Sequence, residues 1–308
     1  TLDVERPKMD GISFRRNGMR LRPMPVVMIS SLTQQGADIA LEAMSIGAVD
    51  YISKPKLDVA HELAGYSDEI IEKVKTAAKA KVLPNVSEAK PISAIKLKSV
   101  QSIGKLSGKK QQGKLKTTEK IIAIGASTGG TEAIKEILMS MRPDSPSILI
   151  AQHIPKAFST AFSKRMDSVS PMAVCEAQDG QHVLPGHAYI APGDQHLMLV
   201  REGARYYCKL DDGEPCNRHK PSVDVMFRLV EEAAGDNAIG VLLTGMGADG
   251  ARGLKQMHDS GSKTIAQDEN SSVVWGMPGE AVKLEATDYV LPLNKIAQKL
   301  ETLISEAK

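Results

Sequence analysis

The chain has 308 residues, 42% of them apolar and 25% charged, which suits a soluble protein of about two domains with a sizeable core. A net charge of +2 and only 4% aromatic residues give no case for nucleic-acid binding by charge or base stacking. Three cysteines (Cys175, Cys208, Cys216), an odd number without CxxC spacing, suggest neither a disulfide framework nor a zinc site. No apolar run approaches the ~18 residues that cross a bilayer, so no membrane insertion is expected, and a reduced, cytoplasmic setting is.

Three regions follow one another. Residues 1–80 alternate short apolar runs with helical patterns. Pro25–Ile29 reads as a buried strand because it is short, apolar and β-branched. Asp38–Ile46 sets Ile39, Ala40, Ala43 and Met44 on one helical face, and Asp50–Ile52 is a second strand. A helix over about 58–80 carries Ile70, Ile71, Val74 and Ala78 as its stripe. Residues 81–118 hold nine lysines and a single acid, Glu88, with no lasting period. Such a composition buries too little to offset its ordering entropy and predicts a flexible basic linker.

From residue 119 strands and helices alternate again. Strands are expected at Ile121–Ile124, Ser147–Ala151, Ala238–Leu243, Lys263–Ala266 and Tyr289–Leu293. Helices are expected at Ala133–Met141, Ala157–Met166, Val223–Ala234, Ala251–Asp259 and Asn294–Glu306. Residues 173–213 read as hairpins, with turn signals at Pro192-Gly193-Asp194 and Asp211-Asp212-Gly213. The alternation predicts a doubly wound α/β domain over 119–308 with a mostly parallel sheet.

Gly125-Ala126-Ser127-Thr128-Gly129-Gly130 lies between a predicted strand and helix. It fits a nucleophile elbow, in which small neighbours permit the tight turn that lifts a serine hydroxyl beside a helix N-terminus. The same residues fit a glycine-rich phosphate cradle, and the motif alone does not choose between the two. His153 follows the second strand and Asp249 follows Ala238–Leu243. In an open parallel sheet these loops gather at one edge, where sites form. A serine needs a base to become a nucleophile, and the imidazole needs an acid to fix its tautomer. The order Ser…His…Asp differs from that of α/β-hydrolases, which points to a convergent triad. Asp179, Asp194 and Asp268 also follow strand-like segments, and Asp249 is preferred for its glycine-rich setting. His182, His187, His196, His219 and His258 lack metal-ligand spacing and read as surface or loop residues.

Ile124–Gly130, Gln152-His153-Ile154-Pro155 and Leu243–Gly250 together resemble the protein-glutamate methylesterases of bacterial chemotaxis, over residues ~120–305. The resemblance implies Ser127 as nucleophile, His153 as base and Asp249 as orienting acid. It also implies Thr128, Met246 and Gly247 beside the oxyanion and substrate. The substrates it implies are glutamyl methyl esters on methyl-accepting chemotaxis receptors, with receptor glutamine deamidation as an extension. No cofactor and no metal are implied for the esterase. Residues 1–80 resemble the back part of a flavodoxin-like response-regulator receiver, here partial. That resemblance implies Asp3 as the residue phosphorylated by a chemotaxis histidine kinase, with Ser30 and Lys54 as switch residues. It further implies Mg²⁺ for phosphorylation and a receiver that covers the esterase site until phosphorylated. The acidic metal-binding pair and the earlier strands are not in this sequence, and Thr1 stands first, so it reads as a piece of a longer protein.

Overall fold

The computed structural model describes residues 1–3, 24–30, 33–54, 63–80 and 119–306. Residues 81–118, the expected linker, lie outside these, as do 58–62 of the second expected helix.

In the N-terminal region β1 (Leu2–Asp3), β2 (Val27–Ser30) and β3 (Asp50–Ser53) form a parallel sheet in that order. α1 (Gln34–Ser45) starts at Thr33, whose hydroxyl accepts from Gly36 N, and buries Ala40, Ala43 and Met44 as its pattern requires. α2 (Leu63–Lys79) differs from expectation. Ile71 and Val74 are exposed, and Ala77 is buried with Ile70 against Val27, Val49, Ile52 and Val273. The helix is therefore turned by about one residue from the stripe that its isoleucines suggest.

The second region is built on seven strands, all parallel, in the order β12-β11-β10-β4-β5-β7-β6. They are β4 (Ile121–Ala126), β5 (Ser147–Gln152), β6 (Ala173–Glu176), β7 (His187–Ile190), β10 (Ala238–Leu242), β11 (Lys263–Gln267) and β12 (Tyr289–Leu291). β4, β5 and β10 are buried along their whole length, which is why they read as unbroken apolar runs. Helices cover both faces: α3 (Gly130–Ser140), α4 (Lys156–Val169), α5 (Val223–Ala234), α6 (Ala251–Asp259), α7 (Met277–Lys283) and α8 (Leu293–Ser305). Two cores result. One holds Ile122, Ile124, Ile148 and Ile150 with α3, α4 and α8; the other holds Ile121, Ala123, Leu149 and Tyr189 with α5 and α6.

Residues 173–213 correct the expected hairpins. β6 and β7 pair in parallel within the main sheet, and only β8 (His196–Glu202) with β9 (Arg205–Asp211) is a hairpin, turning at Gly203-Ala204. Asp211-Asp212-Gly213 ends β9 instead of turning a hairpin. Turn residues mark where a strand stops, not which partner it takes. α7 was not expected: Pro278 and Gly279 conceal seven residues of helix that bury Met277 and Ala281.

From β4 the chain steps toward β5, β7 and β6, and later returns to the other side with β10, β11 and β12. The direction reverses at the β10–β4 junction, so the loops after β4, β5 and β10 open onto one crevice at the strands' carboxyl ends.

Candidate active site

Ser127 follows β4, in the turn that leads into α3. Its N–H bonds Thr244 O at 3.0 Å, tying it to the loop after β10, and its carbonyl accepts from Gly130 N at 2.7 Å and from Gln152 Nε2 at 2.9 Å. Gly129 supplies the turn with φ +79°, a conformation that L side chains rarely adopt. Gly125 serves another purpose: a Cβ there would stand 2.1 Å from Val223 Cγ1, so its bare backbone lets α5 approach the strand end. Gly245 likewise leaves room for Ser127, whose Cβ would be 2.8 Å from a Cβ at that position. The Ser127 hydroxyl makes no hydrogen bond among the described residues.

His153 follows β5 and bonds Ala126 O through its N–H at 3.1 Å, which sets it beside Ser127. Its side chain is nearly buried, with Nε2 2.8 Å from Asp249 Oδ2. Nδ1 is buried with no hydrogen-bond partner. With an ionised acid on Nε2, that nitrogen carries the proton and Nδ1 is left as the bare base.

Asp249 is buried at the N-terminus of α5. Oδ2 accepts from Val223 N at 2.7 Å and from His153; Oδ1 accepts from Ser222 Oγ at 2.8 Å, Asn217 Nδ2 at 2.7 Å and Asp224 N at 3.3 Å. Burial alone would raise its pKa. The hydrogen bond and charge of His153, with the donors Asn217 and Val223 N, outweigh burial and hold the carboxyl well below the usual carboxylate range. It stays ionised and fixes the imidazole.

The other expected acids serve elsewhere. Asp179 accepts from Leu210 N, Asp194 pairs with Lys156, and Asp268 accepts from Ser271. Of the histidines read as surface or loop residues, one is neither and another is a loop residue turned onto the site. His196 is buried, its ring between Glu214 O and Ser222 N. His219 stacks on His153 with centroids 3.7 Å apart and planes 14° from parallel. Asn217, another site residue that the sequence reading missed, sits two positions before it. The signal lay in Cys216–His219, where turn-forming Asn217 stands five residues before the Ser222 cap of an apolar helix.

Thr128 and Met246 flank Ser127, and the backbone N–H of neither donates a hydrogen bond among the described residues. Gly247 follows in the left-handed region at φ +81° and is exposed. Both flanking side chains meet the N-terminal region: Thr128 Oγ1 donates to Asp50 Oδ2 at 2.5 Å, and Thr76 of α2 lies against Met246 Sδ. Tyr51 stacks on Phe158 of α4 at 4.6 Å. Within that region Asp3, Ser30 and Lys54 converge at the strand ends: Lys54 Nζ is 3.0 Å from Asp3 Oδ1, and Lys54 N bonds Ser30 O at 2.7 Å.

Among the described residues no group of three or more His, Cys, Asp or Glu side chains could hold a metal ion. All three cysteines are free, and burial pushes the Cys208 thiol up to about 12, where it is inert. No helix among the described residues is long and apolar enough to cross a membrane.

Residues 122–300 match the CheB methylesterase family. The chain belongs to that family. Over all 308 residues it is 54% identical to the protein-glutamate methylesterase/protein-glutamine glutaminase 1 of Xanthomonas euvesicatoria, covering 84% of that protein. It is 53% identical to the protein-glutamate methylesterase/protein-glutamine glutaminase of Hydrogenovibrio crunogenus, over 99% of this chain and 86% of that one. The Thermotoga maritima CheB methylesterase catalytic domain superposes with a TM-score of 0.59 at 39% identity. That domain is covered to 98% and this chain to 60%, in keeping with a catalytic domain that makes up its C-terminal part.

Proposed function

We propose that this CheB-family chain hydrolyses glutamyl methyl esters on methyl-accepting chemotaxis receptors, with Ser127 as nucleophile, His153 as base and Asp249 as orienting acid. The observation that carries the reading is the buried His153–Asp249 pair beside Ser127, with Nδ1 left bare. In this mechanism Ser127 Oγ attacks the ester carbonyl as its proton passes to His153 Nδ1. The oxyanion is held by the N–H groups of Thr128 and Met246, with Gly247 leaving the substrate side open. The tetrahedral intermediate expels methoxide, which takes the proton from His153 and leaves as methanol. Water, deprotonated by the same imidazole, then cleaves the acyl-enzyme to the glutamate carboxylate. A glutamine side chain follows the same course with ammonia as leaving group, which suits the double name of the relatives.

The rival reading of Gly125–Gly130 as a phosphate cradle is indifferent to His153. A base and acid buried together at 2.8 Å favour the esterase, because such a pair does nothing for a phosphate.

The N-terminal region would regulate this site as a receiver. Asp3 would take the phosphoryl group from a chemotaxis histidine kinase, with Ser30 and Lys54 as its switch residues. The contacts of Asp50 with Thr128 and of Thr76 with Met246 support a resting state in which this region limits access. The described residues do not make a Mg²⁺ site around Asp3, which pairs with Lys54. A cytoplasmic location would follow from receptor and kinase partners of this kind.

Methanol release from membranes carrying methylated receptors, compared between the chain and Ser127→Ala, tests the reading. Release by the parent alone is expected. Equal release by both would remove Ser127 as nucleophile, and release by neither from folded protein would remove the esterase.

A further inference from the structure

His153 is held in plane by a single hydrogen bond, from Nε2 to Asp249. The torsion that turns an imidazole about its Cβ–Cγ bond is broad and roughly two-fold, so one bond at the ring's far end leaves it free to rock. Against that ring lies the short hairpin Cys216–His219. Cys216 N bonds His219 O at 3.1 Å and His219 N bonds Cys216 O at 2.9 Å, around Asn217 and Arg218 at φ 53° and 67°. Positive φ at both central residues is the signature of a two-residue turn matched to strand twist, costly for arginine and tolerated by asparagine. The turn aims one central and one flanking side chain at two members of the site. Asn217 donates to Asp249 Oδ1 at 2.7 Å, and His219 lies flat on His153 at 3.7 Å.

We infer that His219 is a positioning residue, whose stacked ring holds the His153 imidazole with Nε2 on Asp249 and Nδ1 free for the Ser127 proton. The inference rests on the methylesterase reading above.

The groups acting on the His219 ring are His153 after β5, Asp249 after β10, Lys73 on α2 and Arg218 in the turn. Burial, with His153, Lys73 and Arg218, outweighs Asp249 and keeps the ring uncharged down to about pH 4. A neutral stacked ring adds a flat wall without repelling the imidazolium that forms during each half-reaction.

The test uses the full chain and the variants His219→Ala, His219→Phe and His219→Leu, with two readouts. The first is kcat and KM for methanol release from methylated receptor membranes. The second is the pair of ring ¹⁵N shifts of His153, which report its tautomer without substrate. His219→Ala is expected to lower kcat about 10- to 100-fold with KM within about twofold, the scale of a misaligned reacting group. It should also lose the single Nε2–H signature. His219→Phe, which keeps a flat ring, should recover both to within about threefold. His219→Leu has similar bulk without the flat face and should fall about tenfold below phenylalanine. That comparison decides the matter even if alanine fails to fold. Unchanged kcat and tautomer in His219→Ala, or equal impairment of phenylalanine and leucine, overturns the inference. No methanol from the parent, or undiminished release by Ser127→Ala, overturns the esterase reading instead, while the ¹⁵N shifts still decide the positioning.

Discussion

Asp249→Asn keeps the shape of the side chain and exchanges one acceptor oxygen for a donor. Five donors converge on the carboxylate, two on Oδ2 and three on Oδ1. If the new NH₂ takes the place of Oδ1, it faces the donors of Asn217 and Asp224, and only the Ser222 hydroxyl can turn to accept. If it takes the place of Oδ2, it faces Val223 N–H and must donate to His153 Nε2, which drives the imidazole proton to Nδ1. Either way about two charge-assisted bonds are lost, each worth roughly 1.5–3 kcal/mol before rearrangement. With Ser222 turning and some solvent entry, a net loss of about 2–4 kcal/mol of stability is expected. The second arrangement puts a proton where the base should be, and kcat should fall about 10³- to 10⁴-fold while KM changes little. Urea unfolding at pH 7 reads the stability, and methanol release reads kcat. A carboxyl held below its unfolded pKa of about 3.9 stabilises above that pH and loses its contribution as pH falls through the folded value. The gap between parent and variant should therefore stay constant from pH 8 to 5 and narrow below pH 4. A variant with kcat within tenfold of the parent would refute both the tautomer argument and the role given to Asp249.

Gly125→Ala drives a methyl into Val223, the first residue of α5 and itself a donor to Asp249, so a loss of about 1–3 kcal/mol and a fall in kcat are expected together. A stable and fully active variant would contradict this packing. His219 has a folded pKa of about 4 against 6.5, so the unfolded chain binds more protons between those values and stability falls on acidification through them, by about 3 kcal/mol. His219→Phe should flatten that part of the stability–pH curve; parallel curves for parent and variant from pH 7 to 4 would rule the effect out. Asp50→Ala removes the acceptor of the Thr128 hydroxyl and should raise methanol release severalfold in the absence of phosphorylation. Release unchanged or lowered would mean that this contact does not restrain the site.

Much of the catalytic region was legible because its strands are short, buried and flanked by glycine, and because three glycine-rich or strand-end motifs fall where a parallel sheet gathers its loops. What a single chain could not reveal was pairing. β6 and β7 carry turn residues on either side just as a hairpin would, and only the partner strand distinguishes them. α7 was hidden by Pro278 and Gly279, which are breakers inside a helix but acceptable in its first turn. His219 was invisible for another reason. Ring stacking has no sequence spacing, so a histidine 66 residues from its partner, by subtraction of 153 from 219, looks like any loop residue. The exposed Ile71 and Val74 show the converse, apolar spacing that the fold does not use.

His153 and Asp249 lie 96 residues apart in sequence, and the strand that brings them together, β10, enters beside β4 at the centre of the sheet. A chain emerging from the ribosome holds its serine and its histidine long before it holds the acid, and the Asn217 hairpin arrives in between. Until β10 docks, the imidazole has nothing to fix its tautomer and the serine loop lacks the Thr244 carbonyl that anchors it. On the proposed mechanism hydrolytic competence is thus a late event of synthesis, and a product stopped or clipped before β10 would carry Ser127 without the acid that its base requires.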